Sequence, residues 1–210
     1  LFDMLHSMRQ FDDLTYVHSV NVALIASILG QWLKFSEKDI RILTISGLLH
    51  DIGKIMIPNE ILTKPGKLTV AEYNIMKQHV NFGYEKVKNQ NIDIRIKEAC
   101  LLHHEKCDGT GYPFGLKSDH IPAVAKIIAI ADVYDAMTSA RVYRGALCPF
   151  EVIDTMYKDA FTKFEPEYIL PFLKNVASSY INNDVRLSDG RIGKVVLINE
   201  NALSLPIVQR

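Results

Sequence analysis

For most of its length the chain repeats apolar positions every three to four residues, and after about Tyr180 that period gives way to strict alternation. The first strong segment, Val17 to Leu33, is apolar nearly all round, which predicts a helix at the centre of a bundle, capped by Asp12 or Asp13. Ser36 with Asp39 starts a second helix that the pattern carries through His50 and Asp51 toward Pro58. Thr69 and Glu72 form a capping box for a helix over 68–79, and a further helix covers 91–104 before a Gly-rich turn. Pro122 opens a helix over 122–140, and segments 148–161 and 166–180 complete an all-α helical bundle. In the alternating tail, Asp189-Gly190 between apolar runs signals a hairpin, so a small C-terminal β appendage is expected.

Composition narrows this picture. With 210 residues and 48% hydrophobic content the chain buries a full core, read as a helical domain over 1–180 and a β-strand appendage over 181–210. Lys plus Arg equals Asp plus Glu at 24 each, so no bulk charge steers it to polymeric nucleic acid or to an anionic membrane. Cys100, Cys107 and Cys148 are odd in number and lack CxxC spacing, which suits reduced thiols in a cytoplasmic protein. No apolar run is read as reaching the roughly 20 residues that span a bilayer, so no membrane contact is expected. The start at Leu1, without Met, suggests a fragment whose parent carries further domains.

Two stretches carry chemistry that a packed core does not need. GLLHDIGK (47–54) sets His50, Asp51 and Lys54 at the end of an apolar helix, and LLHHEKCDGTGYP (101–113) sets His103 and His104 before a turn. Taken singly, His18 and His79 read as hydrogen-bonded core histidines, and Asp132 as a buried partner for an arginine. Together, five of the seven histidines and two aspartates sit near the ends of separate apolar helices. A buried carboxylate needs a partner, because leaving it charged and alone costs several kcal/mol. A multinuclear metal site inside a helical bundle satisfies the whole set.

The order His18, HDIGK at 50–54, His79, HHExxDGxGYP at 103–113 and the Asp132 helix resembles the HD-GYP domain, a branch of the HD phosphohydrolase superfamily, over about residues 8–175. The resemblance implies an HD-domain helical bundle that hydrolyses the bacterial second messenger cyclic di-GMP; linear pGpG is the expected product, with GMP as the alternative end point. It implies two or three divalent metal ions, iron or manganese first, with zinc, nickel or magnesium as alternatives. His18, His50, Asp51, His79, His103, His104 and Asp132 are the implied ligands, with Asp51 bridging two ions. Two-fold association and an attached sensor or receiver domain are further implications.

Hydrolysis of a phosphodiester at neutral pH needs a hydroxide and a clamp on the phosphoryl oxygens, which two cations about 3.5–4 Å apart supply. Asp51 and Lys54 are therefore the catalytic candidates, Lys54 stabilising charge that gathers on the phosphate. The turn glycines and Pro113 display Tyr112, and the resemblance implies that this loop borders the substrate pocket. Arg141 and Arg144 offer guanidinium forks for the phosphates. Relatives with three metals carry a Glu at the position of Leu14, which has no oxygen to offer. The site is thus expected to be binuclear: His18, His50, Asp51 and Asp132 hold one ion, and Asp51, His79, His103 and His104 the other, unless Asp12 or Asp13 substitutes for the Glu. A nucleotide receptor without turnover, and a phosphohydrolase acting on another cyclic dinucleotide or a mononucleotide, are the alternative readings. The appendage holds no ligand constellation, so a structural or partner-facing role is expected for it.

Overall fold

A computed structural model of the protein describes residues 2–139 and 147–209. Helix α1 (Phe2–Phe11) precedes α2 (Asp13–Trp32), the axis of the bundle, which packs against α3 (Glu37–Leu49) and α8 (Ala123–Thr138). Asp12 is the cap of α2: its carboxylate accepts the N–H groups of Leu14 and Thr15 at 3.2 and 3.0 Å. Val22, Ala26 and Leu29 of α2 are fully buried, whereas Leu14, Val17, Leu24 and Ile28 face outward.

At 20 residues and a mean hydropathy of 1.2, α2 does reach the length and apolarity of a membrane span, contrary to the expectation from the sequence. Part of that apolarity is the core-facing stripe of Val22, Ala26 and Leu29, and the rest comes from Leu14, Val17, Leu24 and Ile28 on the outward face. In this fold α2 turns His18 and Ser19 inward against the other helices.

Three further corrections concern element ends. α3 stops at Leu49 instead of running through Asp51; Asp51 takes φ −98°, ψ 8°, and Ile52–Met56 forms a 3-10 turn. The expected helix over 68–79 is two helices, α5 (Val70–Met76) and α6 (His79–Val87), so His79 opens a helix rather than closing one. Short α4 (Asn59–Leu62) and α1 have too few core-facing positions to stand out as periodic. The capping residues Ser36 and Thr69 act as expected, the latter in a complete capping box with Glu72.

The remaining frame is α7 (Ile94–Leu102), capped by Asp93, then α9 (Pro149–Lys158) and α10 (Pro166–Ser178), each with proline in its first turn. Strands β1 (Asp184–Arg186), β2 (Ile192–Leu197) and β3 (Ile207–Gln209) form an antiparallel sheet in the order β1-β2-β3. Val195, Ile198 and Leu203 of this region are buried in the same core cluster as Ile153 of α9 and Phe172 of α10.

Within that core Cys100 is fully buried, its Sγ donating to Leu49 O at 3.3 Å. Burial, reinforced by the charge of Asp51, pushes its thiol up to about 12. Cys148 is exposed. Iodoacetamide applied to the native protein is therefore expected to modify Cys148 and leave Cys100 untouched until the fold is opened, as mass spectrometry of tryptic peptides will show. Modification of Cys100 at the native rate of Cys148 would contradict this packing.

Candidate metal centre and active site

Helix ends and breaks, with the inward faces of α2 and α8, bring all seven candidate ligands to one place. His18 comes from the middle of α2, His50 and Asp51 from the break after α3, His79 from the start of α6, His103 and His104 from the end of α7, and Asp132 from α8. Asp51, His79, His103 and His104 each offer a ligand atom within 4.8 Å of one another, and His18, His50 and Asp51 do the same. Asp51 belongs to both groups. Its carboxylate lies 3.3 Å from His79 Nε2, 3.4 Å from His50 Nε2, 3.7 Å from His18 Nε2 and 3.9 Å from His103 Nε2.

The backbone sets the tautomers. His50 Nδ1 donates to Gly47 O at 2.7 Å, His79 Nδ1 to Met76 O at 2.8 Å and His103 Nδ1 to Ala99 O at 3.0 Å. A carbonyl only accepts, so each proton sits on Nδ1 and each Nε2 presents a lone pair to the centre. His79 Nε2 and His103 Nε2 then face each other at 3.4 Å, lone pair to lone pair. His50 Nε2 and Asp51 Oδ1 are buried and have no hydrogen-bond partner among the described residues. Orphaned buried acceptors cost about 1–3 kcal/mol each. Cations bound among them remove that cost, so this donor set fits a metal centre of imidazoles and carboxylates.

Protonation follows the same geometry. Burial pushes His79 and His103 below the ordinary imidazole range and takes His104 to about 3, so all three are neutral ligands at pH 7. For Asp51, burial favours the neutral acid, but the charge of the Lys54 ammonium outweighs it and holds the carboxyl well below its usual range. Lys54 Nζ lies 2.5 Å from Asp51 Oδ2 and is 22% exposed, at the edge of the cluster. Asp132 is likewise depressed against burial, mainly by the hydrogen bond from His18 at 3.0 Å. His18 differs from the others: burial would lower it, yet the bonds to Asp132 and Asp135 carry it up to about 9, so it would serve as a ligand only by giving up its Nε2 proton on metal binding.

The turn after His104 folds back over this centre. Buried Glu105 accepts the backbone N–H groups of Phe114, Gly115 and Leu116 at 2.7, 3.1 and 2.9 Å, which ties the loop to the end of α7. A side chain at Gly111 would place Cβ 2.5 Å from His104 O, so only glycine lets the loop lie this close. Tyr112 is half-buried, stacked on the His104 ring at 4.7 Å with 28° between planes, and is not displayed as the turn residues suggest. The stack forms because Gly111 lets the loop return onto the His103-His104 segment.

With this geometry in view, residues 5–168 match the family described as HD domain. The chain belongs to the HD domain family. Its HDIGK and HHEKCDGTGYP motifs place it in the HD-GYP branch. It is 36% identical over 203 residues to a cyclic di-GMP phosphodiesterase of Pseudomonas aeruginosa, covering 96% of this chain and 49% of that protein. It is also 36% identical over 158 residues to 3'3'-cGAMP-specific phosphodiesterase 2 of Vibrio cholerae, covering 74% and 30%. The chain thus spans less than half the length of these curated relatives. In fold it is similar to the HD domain of the L. monocytogenes phosphodiesterase PgpH, with TM-score 0.64 and 18% identity over 84% of this chain and 95% of that one.

In this HD-GYP domain six of the candidate ligands form the two overlapping clusters, Asp132 joins them through His18 at 3.0 Å and His104 at 3.7 Å, and Lys54 and Tyr112 lie against them, while Arg141 and Arg144 lie outside the described residues. Asp13 is exposed and 3.9 Å from Arg9, and Leu14 is 62% exposed. The sequence reading missed Asp135, whose Oδ2 lies 2.6 Å from His18 Nδ1 and whose Oδ1 accepts from Asn21 Nδ2 at 3.0 Å and Ser139 Oγ at 2.9 Å. Its one available signal was the three-residue spacing from Asp132, which puts both acids on one face of α8. Asp135 orients His18 so that Nε2 faces the centre.

Proposed function

We propose that this domain is a metal-dependent phosphodiesterase that opens cyclic di-GMP to linear pGpG and carries the product on to GMP. The observation that carries this reading is the Asp51-centred cluster, in which buried carboxylate and imidazole acceptors converge with Lys54 at the solvent edge. Names of the relatives support the substrate class, and the Pseudomonas aeruginosa protein supports the guanine dinucleotide in particular. Two ions are proposed, held by His18, His50, Asp51 and Asp132 and by Asp51, His79, His103 and His104. Iron or manganese suits this mixed nitrogen and oxygen set. Leu14 supplies no ligand atom, and the Asp12 carboxylate is engaged in capping α2, which supports two ions over three.

Bound cations supply a nucleophilic hydroxide at neutral pH and neutralise charge on phosphoryl oxygens. The protein does the rest. Asp51, kept ionised by the Lys54 ammonium beside it, holds the two halves of the site in register. Lys54 offers further N–H donors to a phosphate oxygen as negative charge gathers there. Tyr112, whose hydroxyl is pushed above its ordinary range by burial, stays protonated and remains a donor at the pocket wall. Arg141 and Arg144 are assigned to the phosphates of the dinucleotide.

A panel experiment tests the reading. Protein stripped with chelator and reloaded anaerobically with Fe(II) or Mn(II) is incubated with cyclic di-GMP, 3′3′-cGAMP and cyclic di-AMP, and products are separated by chromatography. The expected result is linear pGpG from cyclic di-GMP at the highest kcat/KM and no product from the stripped protein. Tight binding with no linear product would support the receptor reading instead. Preferred turnover of 3′3′-cGAMP would shift the substrate toward that named for the Vibrio cholerae relative.

A further inference from the structure

An aromatic path leads from the metal cluster to solvent on the side of α5. His104 stacks on Tyr112, and Tyr112 meets Tyr73 of α5 edge to face at 6.5 Å and 81°. Tyr73 is 48% exposed. Lys77, one helical turn further on, places Nζ 5.3 Å from the Tyr73 ring centre and 6.0 Å from that of Tyr112. The short helix is firmly held at its start: Glu72 completes the capping box with Thr69 and accepts from Lys64 Nζ at 2.7 and 2.6 Å. A large aromatic ring left half in water, with an ammonium over its face and on a braced helix, is a platform for another flat ring.

We propose that Tyr73 and Lys77 form the nucleobase subsite of this domain, with the Tyr73 ring stacking on a purine and the Lys77 ammonium donating to that purine's acceptor edge. The assignment rests on the phosphodiesterase reading for its ligand. A cyclic dinucleotide with one phosphate beside Lys54 sends its bases outward from the cluster, and the Tyr112–Tyr73 path is an aromatic surface, among the described residues, that leads from the cluster to solvent. Lysine has donors only, so it suits the N7 and O6 acceptors of guanine and opposes the N6 amino group of adenine. The subsite therefore selects guanine as well as holding it.

The test compares a dinucleotide with a small phosphodiester that has no base. Tyr73→Leu is expected to raise KM for cyclic di-GMP about tenfold or more, the weight of one base–aromatic stack, with a clearly smaller effect on kcat. Its effect on methyl p-nitrophenyl phosphate is expected to be several-fold weaker, and Tyr73→Phe should restore the dinucleotide KM. Lys77→Met is expected to shrink the preference for cyclic di-GMP over cyclic di-AMP. Equal losses on both phosphodiesters, or no change in KM for the dinucleotide, would overturn the subsite. If the wild-type protein hydrolyses neither compound, the phosphodiesterase reading fails on its own. Calorimetric binding of cyclic di-GMP then decides the subsite: weaker binding by Tyr73→Leu upholds it, and equal or absent binding in both proteins removes it.

Discussion

On the proposed phosphodiesterase reading, Asp51→Ala is expected to strip the domain of its metal and to reduce turnover of cyclic di-GMP by on the order of a thousandfold or more, about 4 kcal/mol of transition-state stabilisation. The reason lies in its position. Its two oxygens face His18, His50, His79 and His103 at 3.3–3.9 Å and Lys54 at 2.5 Å, so it is the sole carboxylate common to both ligand groups. Without it the inward-facing lone pairs of His79 and His103 lose the neighbouring negative charge that would favour binding of a cation. Lys54 would also be left beside the cluster without its counter-charge, which further disfavours a dication. Metal content by plasma emission and turnover by chromatography both follow the effect. A variant that retains two equivalents of metal and turns over within tenfold of the parent would show that Asp51 is peripheral.

Chemistry was more legible in the sequence than the boundaries that position it. The convergence of His18, HDIGK, His79, HHE and Asp132 follows from motif order, because each lies on or beside an apolar segment and apolar segments must pack together, although Asp132 sits inside α8 and not near its end as the pattern suggests. Caps such as Ser36 and Thr69 were readable since their chemistry is local. The break at His50-Asp51 was not, because no proline or polar run marks it; contact between Gly53 and α6 makes it. Asp135 was hidden for the same reason. On α8 it reads as one more polar residue, and only the approach of α2 turns it toward His18. Glu105 looked like part of a turn, while in three dimensions it is the anchor of the loop that carries Tyr112. What the one-dimensional pattern lacks in each case is a long-range contact.

Gly53 is where such a contact is tightest, and Gly53→Ala is expected to damage fold and site together. A Cβ there would stand 1.9 Å from His79 O and 2.4 Å from Gly83 N, backbone atoms that cannot turn aside as a side chain does. Either α6 retreats, carrying His79 from the cluster, or the 3-10 turn moves and takes Lys54 away from Asp51. Both outcomes break the centre. Overpacking against rigid backbone costs about 3 kcal/mol, which in a chain of this size lowers Tm by roughly 6–12 °C. Gly83→Ala is the matched control, since its Cβ would meet Gly53 N at 3.4 Å, a distance that small adjustments relieve. Calorimetric melting and metal titration of both variants test the claim, with Gly53→Ala expected to lose heat stability and metal affinity and Gly83→Ala to lose far less of either. Wild-type Tm and full metal loading in Gly53→Ala would mean that the seam between the HDIGK turn and α6 yields without cost, and that the close approach of these two backbones is not what fixes the ligand geometry.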